Sequence, residues 1–278
     1  MSQIAAKDVM ALRQRTGLGM MECKKALVAA GGNIEEAVDA LRKAGIAKAD
    51  SKADRATNEG RVAALLRDDG SRGVLLELAC ETDFVAKNEK FNAMLDGLCA
   101  HIIDRDSSGT DIAELLDETM KGGDQKIGDL IKEAIAGIGE NMSIVQFQRY
   151  DAAGGKVGSY IHHNGKVGVL IQVTGDVSPT LLTDLCLHVA ATAPAALKRD
   201  DIDPQQVERE RDIAADQVKD KPAQIIDKIV KGKMDRWFGE QVLLEQPFVK
   251  DDKKTVTEVL TEAGKSEIVA FSRFHVGG

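Results

Sequence analysis

Aromatic residues are scarce in this chain: one Trp, two Tyr and seven Phe make up 4% of 278 residues. So few rings leave little for the paired stacking platforms with which single-stranded nucleic acid is held. Positive charge is also in deficit, with 37 Lys and Arg against 45 Asp and Glu, a formal net charge of −8. That balance argues against nucleic acid as a direct partner, because neutralising phosphates takes a basic surface. The four cysteines, Cys23, Cys80, Cys99 and Cys186, stand apart with no C-x-x-C pair, which suits a reducing cytoplasm better than a disulfide framework. No apolar run approaches the roughly 18 residues of a membrane span. Met1 to Asp8 has neither a basic n-region nor an apolar h-region, so a cytoplasmic protein without a secretion signal is expected.

What is present describes an ordinary globular chain, 43% hydrophobic and 29% charged, long enough for one large domain or two to three small ones. The first 46 residues read as a three-helix module. Asp8–Arg15 is helix-forming and stops at Thr16-Gly17, and Met20–Ala30 ends at Gly31-Gly32. Asn33 then precedes Glu36 in a variant of the capping box, and Gly45 is expected to end the third helix. Such a small unit buries little surface and suits docking. Residues 47–59, rich in Lys, Ala, Asp and Ser with no apolar period, read as a linker.

The remainder is a repeat. At a constant offset of 95 residues Gly60-Arg-Val62 recurs as Gly155-Lys-Val157, Gly70 as Gly165, and Gly73-Val-Leu-Leu76 as Gly168-Val-Leu-Ile171. Each copy reads as a β-hairpin with a polar tip, Asp68-Asp-Gly-Ser71 and His162-His-Asn-Gly165. An apolar helix with Leu-Cys-x-His follows in both, at residues 98–101 and 185–188, and a closing strand matches Ile144–Tyr150 to Ile268–Phe274. The second copy carries an insertion over about 198–238. Asp203-Pro204 opens its first helix, and Ile225, Ile226, Ile229, Val230, Met234 and Trp237 line one face of its second, so a coiled-coil-like arm is expected. The fold class is therefore α+β: the helical module, a linker, a first subdomain at 60–150 and a second at 151–278 that bears the arm.

Candidate chemistry is thin. Gly17-Leu-Gly19 with Lys24-Lys25 lacks phosphate-loop spacing and follows no strand. Cys and His two apart on a helix do not share a face, and a zinc site needs about four converging ligands, so no metal is expected. His162-His163 has no nucleophile or carboxylate motif tied to it, and the acid pairs suit turns and caps. Nothing here makes an enzyme, and no cofactor is called for. One feature remains: Asp83-Phe84 sits where an apolar run turns polar. A scarce Phe there either edges a core, against Val85 and Phe91, or is meant for another molecule.

The stretches LRQRTGLGMMECKKAL (residues 12–27) and ETDFVAKNEKF (81–91), with GSYIHHNGKVGVL, HVAA, QPFV and FSRF in order behind them, resemble the elongation factor Ts family across essentially the whole chain. The resemblance implies a guanine nucleotide exchange factor acting on elongation factor Tu, with an N-terminal module similar to ubiquitin-associated domains and an arm serving protrusion or homodimerisation. It implies that Thr82, Asp83, Phe84 and Val85 enter the partner's GTPase domain and displace Mg²⁺. By the same matching Arg13, Met20, Met21 and Lys24 dock the module, and His162 lies near the partner's nucleotide side. The tip carries an additional His163-Asn164, which leaves two histidines for that place. Some members add a C-terminal helical module that touches the partner; with Val276-Gly-Gly278 closing this sequence, that contact is expected to be absent or replaced. The competing reading is a ribosome- or RNA-associated factor using the module and the basic stretch Lys48–Arg55; the acidic balance weighs against it.

Overall fold

The computed structural model describes residues 4–152, 154–264 and 266–277. Three helices come first: α1 (Ala6–Thr16), α2 (Met20–Ala29) and α3 (Ile34–Asp50). β1 (Glu59–Leu66) and β2 (Arg72–Cys80) make a hairpin, followed by α4 (Asp83–Ala86), α5 (Glu89–Ile102), α6 (Ile112–Asp117), α7 (Ile127–Ile138) and β3 (Met142–Asp151). The plan then repeats with β4 (Gly155–Ile161), β5 (Val167–Thr174) and α8 (Pro179–Thr192). The inserted pair is α9 (Pro204–Asp216) and α10 (Ala223–Gln241). After it come β6 (Pro247–Phe248), β7 (Asp251–Thr255), α11 (Val256–Glu262) and the closing β8 (Glu267–His275). The sheets have the orders β1-β2-β3, β4-β5-β8 and β6-β7, an α+β fold with both copies of the expected hairpin, helix and closing strand.

In each three-stranded sheet the middle strand is the second of its hairpin. That position explains why β2 and β5 are solid apolar runs rather than alternating ones, since both of their faces are covered: Val74, Leu75, Leu76, Val169, Leu170 and Ile171 are all fully buried. β4 and β5 pair antiparallel from Gly155 opposite Thr174 to Ile161 opposite Gly168.

By contacts the chain divides into two compact units, Met1–Ala63 with Leu76–Phe147 and His275–Gly278, and Ala64–Leu75 with Gln148–Phe274. In the first, α1 stops at Gly17, whose left-handed backbone (φ 67°) returns its N–H to Arg13 O. Asn33 caps α3 by accepting the N–H groups of Glu35 and Glu36, and its own amide donates to Glu36 at 2.8 Å. Val9, Leu12, Cys23, Leu27 and Ala37 form the helices' shared core. One expectation fails here. Gly45 does not end α3, which runs five residues further into the expected linker, to Asp50. The glycine serves close helix packing instead: a Cβ at Gly45 would lie 3.2 Å from that of Ala136 on α7. Ion pairs Arg42–Glu133 (3.2 Å) and Lys132–Asp50 (2.9 Å) flank that crossing. Sequence period alone cannot tell a glycine that stops a helix from one that lets a neighbour approach.

In the second unit, β5 and α8 supply Val169, Ile171, Val173, Leu185, Cys186 and Val189 to a core completed by Leu243, Phe248, Val256, Leu260 and Ile268. The inserted helices close their own small core of Ala214, Met234 and Phe238, with Val207, Val230 and Trp237 packed against it.

The repeated Leu-Cys-x-His helix has a structural use in both copies. His101 Nδ1 accepts the Lys121 N–H at 3.1 Å and its Nε2 meets Glu118 at 2.8 Å. His188 Nδ1 accepts the Val249 N–H at 3.3 Å and its Nε2 meets Gln246 Oε1 at 2.9 Å. Acceptance at Nδ1 puts the ring proton on Nε2, so each histidine ties a later segment back to its helix: residues 118–121 in the first copy and, beyond the inserted pair, residues 246–249 in the second. Among the described residues no group of three or more His, Cys, Asp or Glu is placed to hold a metal ion.

Candidate functional site

The corner between β2 and α5 places its side chains in opposite directions. Thr82 is extended (φ −130°, ψ 155°), and its hydroxyl oxygen caps α4 by accepting the Val85 N–H at 3.4 Å. The four-residue helix then turns Val85 inward at 8% exposure, with Ala86 at 4%, and sends Phe84 outward at 81%. Phe91, the ring against which Phe84 would pack in a core, is fully buried without it. The core-edge reading of Phe84 therefore does not describe this fold. Val85, grouped by the motif with the partner-facing residues, packs within this chain. Asp83 pairs with Lys87 at 2.7 Å, four residues on; exposed pairs of this kind contribute little.

Behind the outward pair lies a polar brace. Glu140 accepts the Thr82 N–H at 3.1 Å and the Thr82 hydroxyl at 2.8 Å. Glu81 accepts the Asn141 N–H at 2.6 Å and Arg55 Nη1 at 3.4 Å. Those two contacts, the Asn141 N–H foremost, hold the Glu81 carboxyl below its ordinary range. Asn141 in turn donates through Nδ2 to Ala53 O (3.2 Å) and Arg55 O (2.9 Å). Lys52, 8% exposed, gives its ammonium to Gly139 O, and burial pulls its pKa down. Cys80 closes the corner with a bond from Sγ to Thr82 O at 3.1 Å, and burial pushes its thiol up to about 11. On the other side Asn92 Nδ2 donates to Ala86 O at 3.1 Å. An exposed ring thus stands on backbone held from both flanks. Such a ring loses little conformational freedom when a partner covers it.

The three-helix module presents a second exposed apolar set. Met20 (47%) and Met21 (63%) leave α2 beside Lys24, and Val28 (57%) extends the same face by a turn. On α1, Met10 (55%) and Arg13 are exposed three residues apart. Methionine is adaptable at contact surfaces. Met10 and Val28 were not legible as surface residues, since both fit an apolar helical period.

In the second unit the two hairpin tips have the same geometry. Gly70 (φ 69°) returns its N–H to Arg67 O at 2.8 Å, and Gly165 (φ 70°) does so to His162 O at 2.8 Å. Asp69 and Asn164 each accept the N–H two residues on, at 2.9 Å. The fates of the two tips differ. The first is pinned by Val157 N–H on Gly70 O (2.8 Å), Ala152 N–H on Ser71 O (2.8 Å) and the Lys156 ammonium on Asp69 O (2.6 Å). The second leaves His163 and Asn164 exposed. His162 is half-buried, its Nδ1 2.9 Å from Tyr160 Oη and its ring 4.2 Å from that of His163, centre to centre. Of the two histidines, His162 is the oriented one and His163 the more accessible.

Sequence reasoning found the outward pair but missed Lys52, Glu81, Glu140 and Asn141. They come from three distant segments, and no spacing rule links Thr82 to Glu140.

The family model described as elongation factor TS matches residues 81–278. The chain is 42% identical to elongation factor Ts of Aquifex aeolicus over 290 aligned residues, covering 99% of this chain and 98% of the relative. It is 40% identical to that of Halothermothrix orenii (99% and 92% covered) and 41% identical to that of Trichlorobacter lovleyi (99% and 93%).

Proposed function

The chain belongs to the elongation factor Ts family, and from that premise we propose that it is the guanine nucleotide exchange factor of elongation factor Tu. It binds the GDP-loaded GTPase, weakens the hold on Mg²⁺ and nucleotide, and leaves the site open for GTP. No catalytic residue is required. A GTPase holds its nucleotide through phosphate contacts and a Mg²⁺ ion whose charge dominates the site. A protein that prefers the nucleotide-free state must, by linkage, weaken nucleotide binding by the same factor.

The observation that carries this reading is the 81% exposure of Phe84 on an otherwise braced corner. Buried in a partner pocket, such a ring contributes about 1.5–3 kcal/mol, tenfold or more at roughly 1.4 kcal/mol per decade. Asp83 beside it brings negative charge to the neighbourhood of the metal. The exposed Met20, Met21, Lys24 and Arg13 supply docking area, and the His162 tip supplies a second contact. The test is stopped-flow release of labelled GDP from elongation factor Tu with and without the chain. Strong acceleration that saturates with chain concentration is expected; a release rate unchanged at saturating chain overturns the assignment.

A further inference from the structure

We propose that Glu140 is a positioning residue for Asp83 and Phe84: by holding both the N–H and the hydroxyl of Thr82, it sets the direction in which that pair leaves the protein. The inference rests on the exchange reading and extends it to a residue outside the motif.

A helix of four residues has almost no stability of its own, so the direction of α4 is set by its cap and by the inward Val85 and Ala86. The cap oxygen belongs to Thr82, and a threonine hydroxyl has a single proton to give. That proton goes to Glu140 Oε1 at 2.8 Å, which leaves an oxygen lone pair facing the Val85 N–H. The second carboxylate oxygen takes the Thr82 N–H at 3.1 Å. One carboxylate therefore sets the rotamer of the cap and the backbone on which it stands. Without it the hydroxyl proton turns to other acceptors, and the rotamer that caps α4 is no longer enforced.

Glu140 is itself held from both neighbours. Gly139, left-handed at φ 97° where α7 ends, has its carbonyl taken by Lys52. Asn141 has its N–H taken by Glu81 at 2.6 Å. The brace runs from the end of α3 through residues 139–141 to Thr82 and stops one residue short of the outward pair. No other side chain in it touches Thr82 through both backbone and hydroxyl. Supports of this kind decide whether a contact group sits within the few tenths of an ångström that function needs.

The test compares the unchanged chain with Glu140→Ala and Glu140→Gln. In GDP release from elongation factor Tu, Glu140→Ala should lower the maximal rate about tenfold while the half-saturating concentration moves less than about threefold. Glu140→Gln, which keeps one acceptor oxygen and loses the other, should fall between the two. In a Phe84→Ala background the Glu140→Ala change should cost less than about twofold more, because coupled residues are not additive. Independently of any partner, hydrogen exchange at the Val85 and Ala86 amides should quicken in Glu140→Ala while the amides of α5 stay unchanged. Additive losses, unaltered amide exchange, or a rate defect that vanishes per folded molecule would each overturn the proposal. If the unchanged chain fails to accelerate GDP release, the exchange reading falls, and the amide-exchange measurement still decides for Glu140.

Discussion

Replacing Phe84 by Ala separates a residue that serves this chain from one that serves its partner. In the free chain 81% of the residue is exposed, so about a fifth of its surface contributes to packing. Removing a fully buried Phe costs about 3–5 kcal/mol, which scales here to less than about 1 kcal/mol. Alanine's better helix propensity returns up to about 0.5 kcal/mol. At about 2–4 °C per kcal/mol for a domain of this size, the melting temperature should move by less than about 4 °C. Against the partner, burial of the exposed four-fifths is worth about 1.2–2.4 kcal/mol, or roughly seven- to fiftyfold at 1.4 kcal/mol per decade. The assay is a thermal melt and stopped-flow GDP release on the same Phe84→Ala sample. A fall of 8 °C or more (about 2 kcal/mol or above) with normal release per folded molecule would refute the reasoning and return Phe84 to the chain's own core.

Gly45→Leu should destabilise the chain by about 1–3 kcal/mol through overpacking against α7; a urea midpoint raised by the better helix former would show that α3 and α7 do not meet there. Burial pulls the His188 pKa below its ordinary value, opposed by the Gln246 bond. Its linked stability is therefore complete above the unfolded value of about 6.5 and is lost as pH falls below it, because only the unfolded chain then takes up the proton. Urea unfolding between pH 7.5 and 5.5 should show a smaller fall for His188→Gln than for the unchanged chain, and equal falls would contradict the burial argument. Burial pushes Cys80 up to about 11 and Cys99 and Cys186 to about 12. Iodoacetamide at pH 8 should therefore modify Cys80 about a hundredfold, and Cys99 and Cys186 about a thousandfold, more slowly than in denatured chain; rapid labelling of Cys80 would mean that the Thr82 corner opens readily.

Much of the architecture is local in origin and so was determined by the sequence alone. Glycine turns at Gly70 and Gly165, the Asn33 cap, the Pro204 helix start and the solid apolar runs of β2 and β5 all report on short-range sterics or on burial of a single strand. The repeat made them mutually consistent, because a plan seen twice is hard to misread. The candidate site was legible only as a question, in that a scarce Phe at a polar corner could point either way. Tertiary structure decided which, since the direction of one side chain depends on what packs beside it. It likewise decided that Gly45 is a helix crossing rather than a helix end, a difference that lies in Ala136, about ninety residues on. It alone assembled Lys52, Glu81, Glu140 and Asn141 behind Thr82, and it alone distinguished two hairpin tips of identical turn geometry, one pinned and one presented. Hydrogen bonds between segments 50 to 90 residues apart leave no period in a sequence; they exist only once the chain has closed around them.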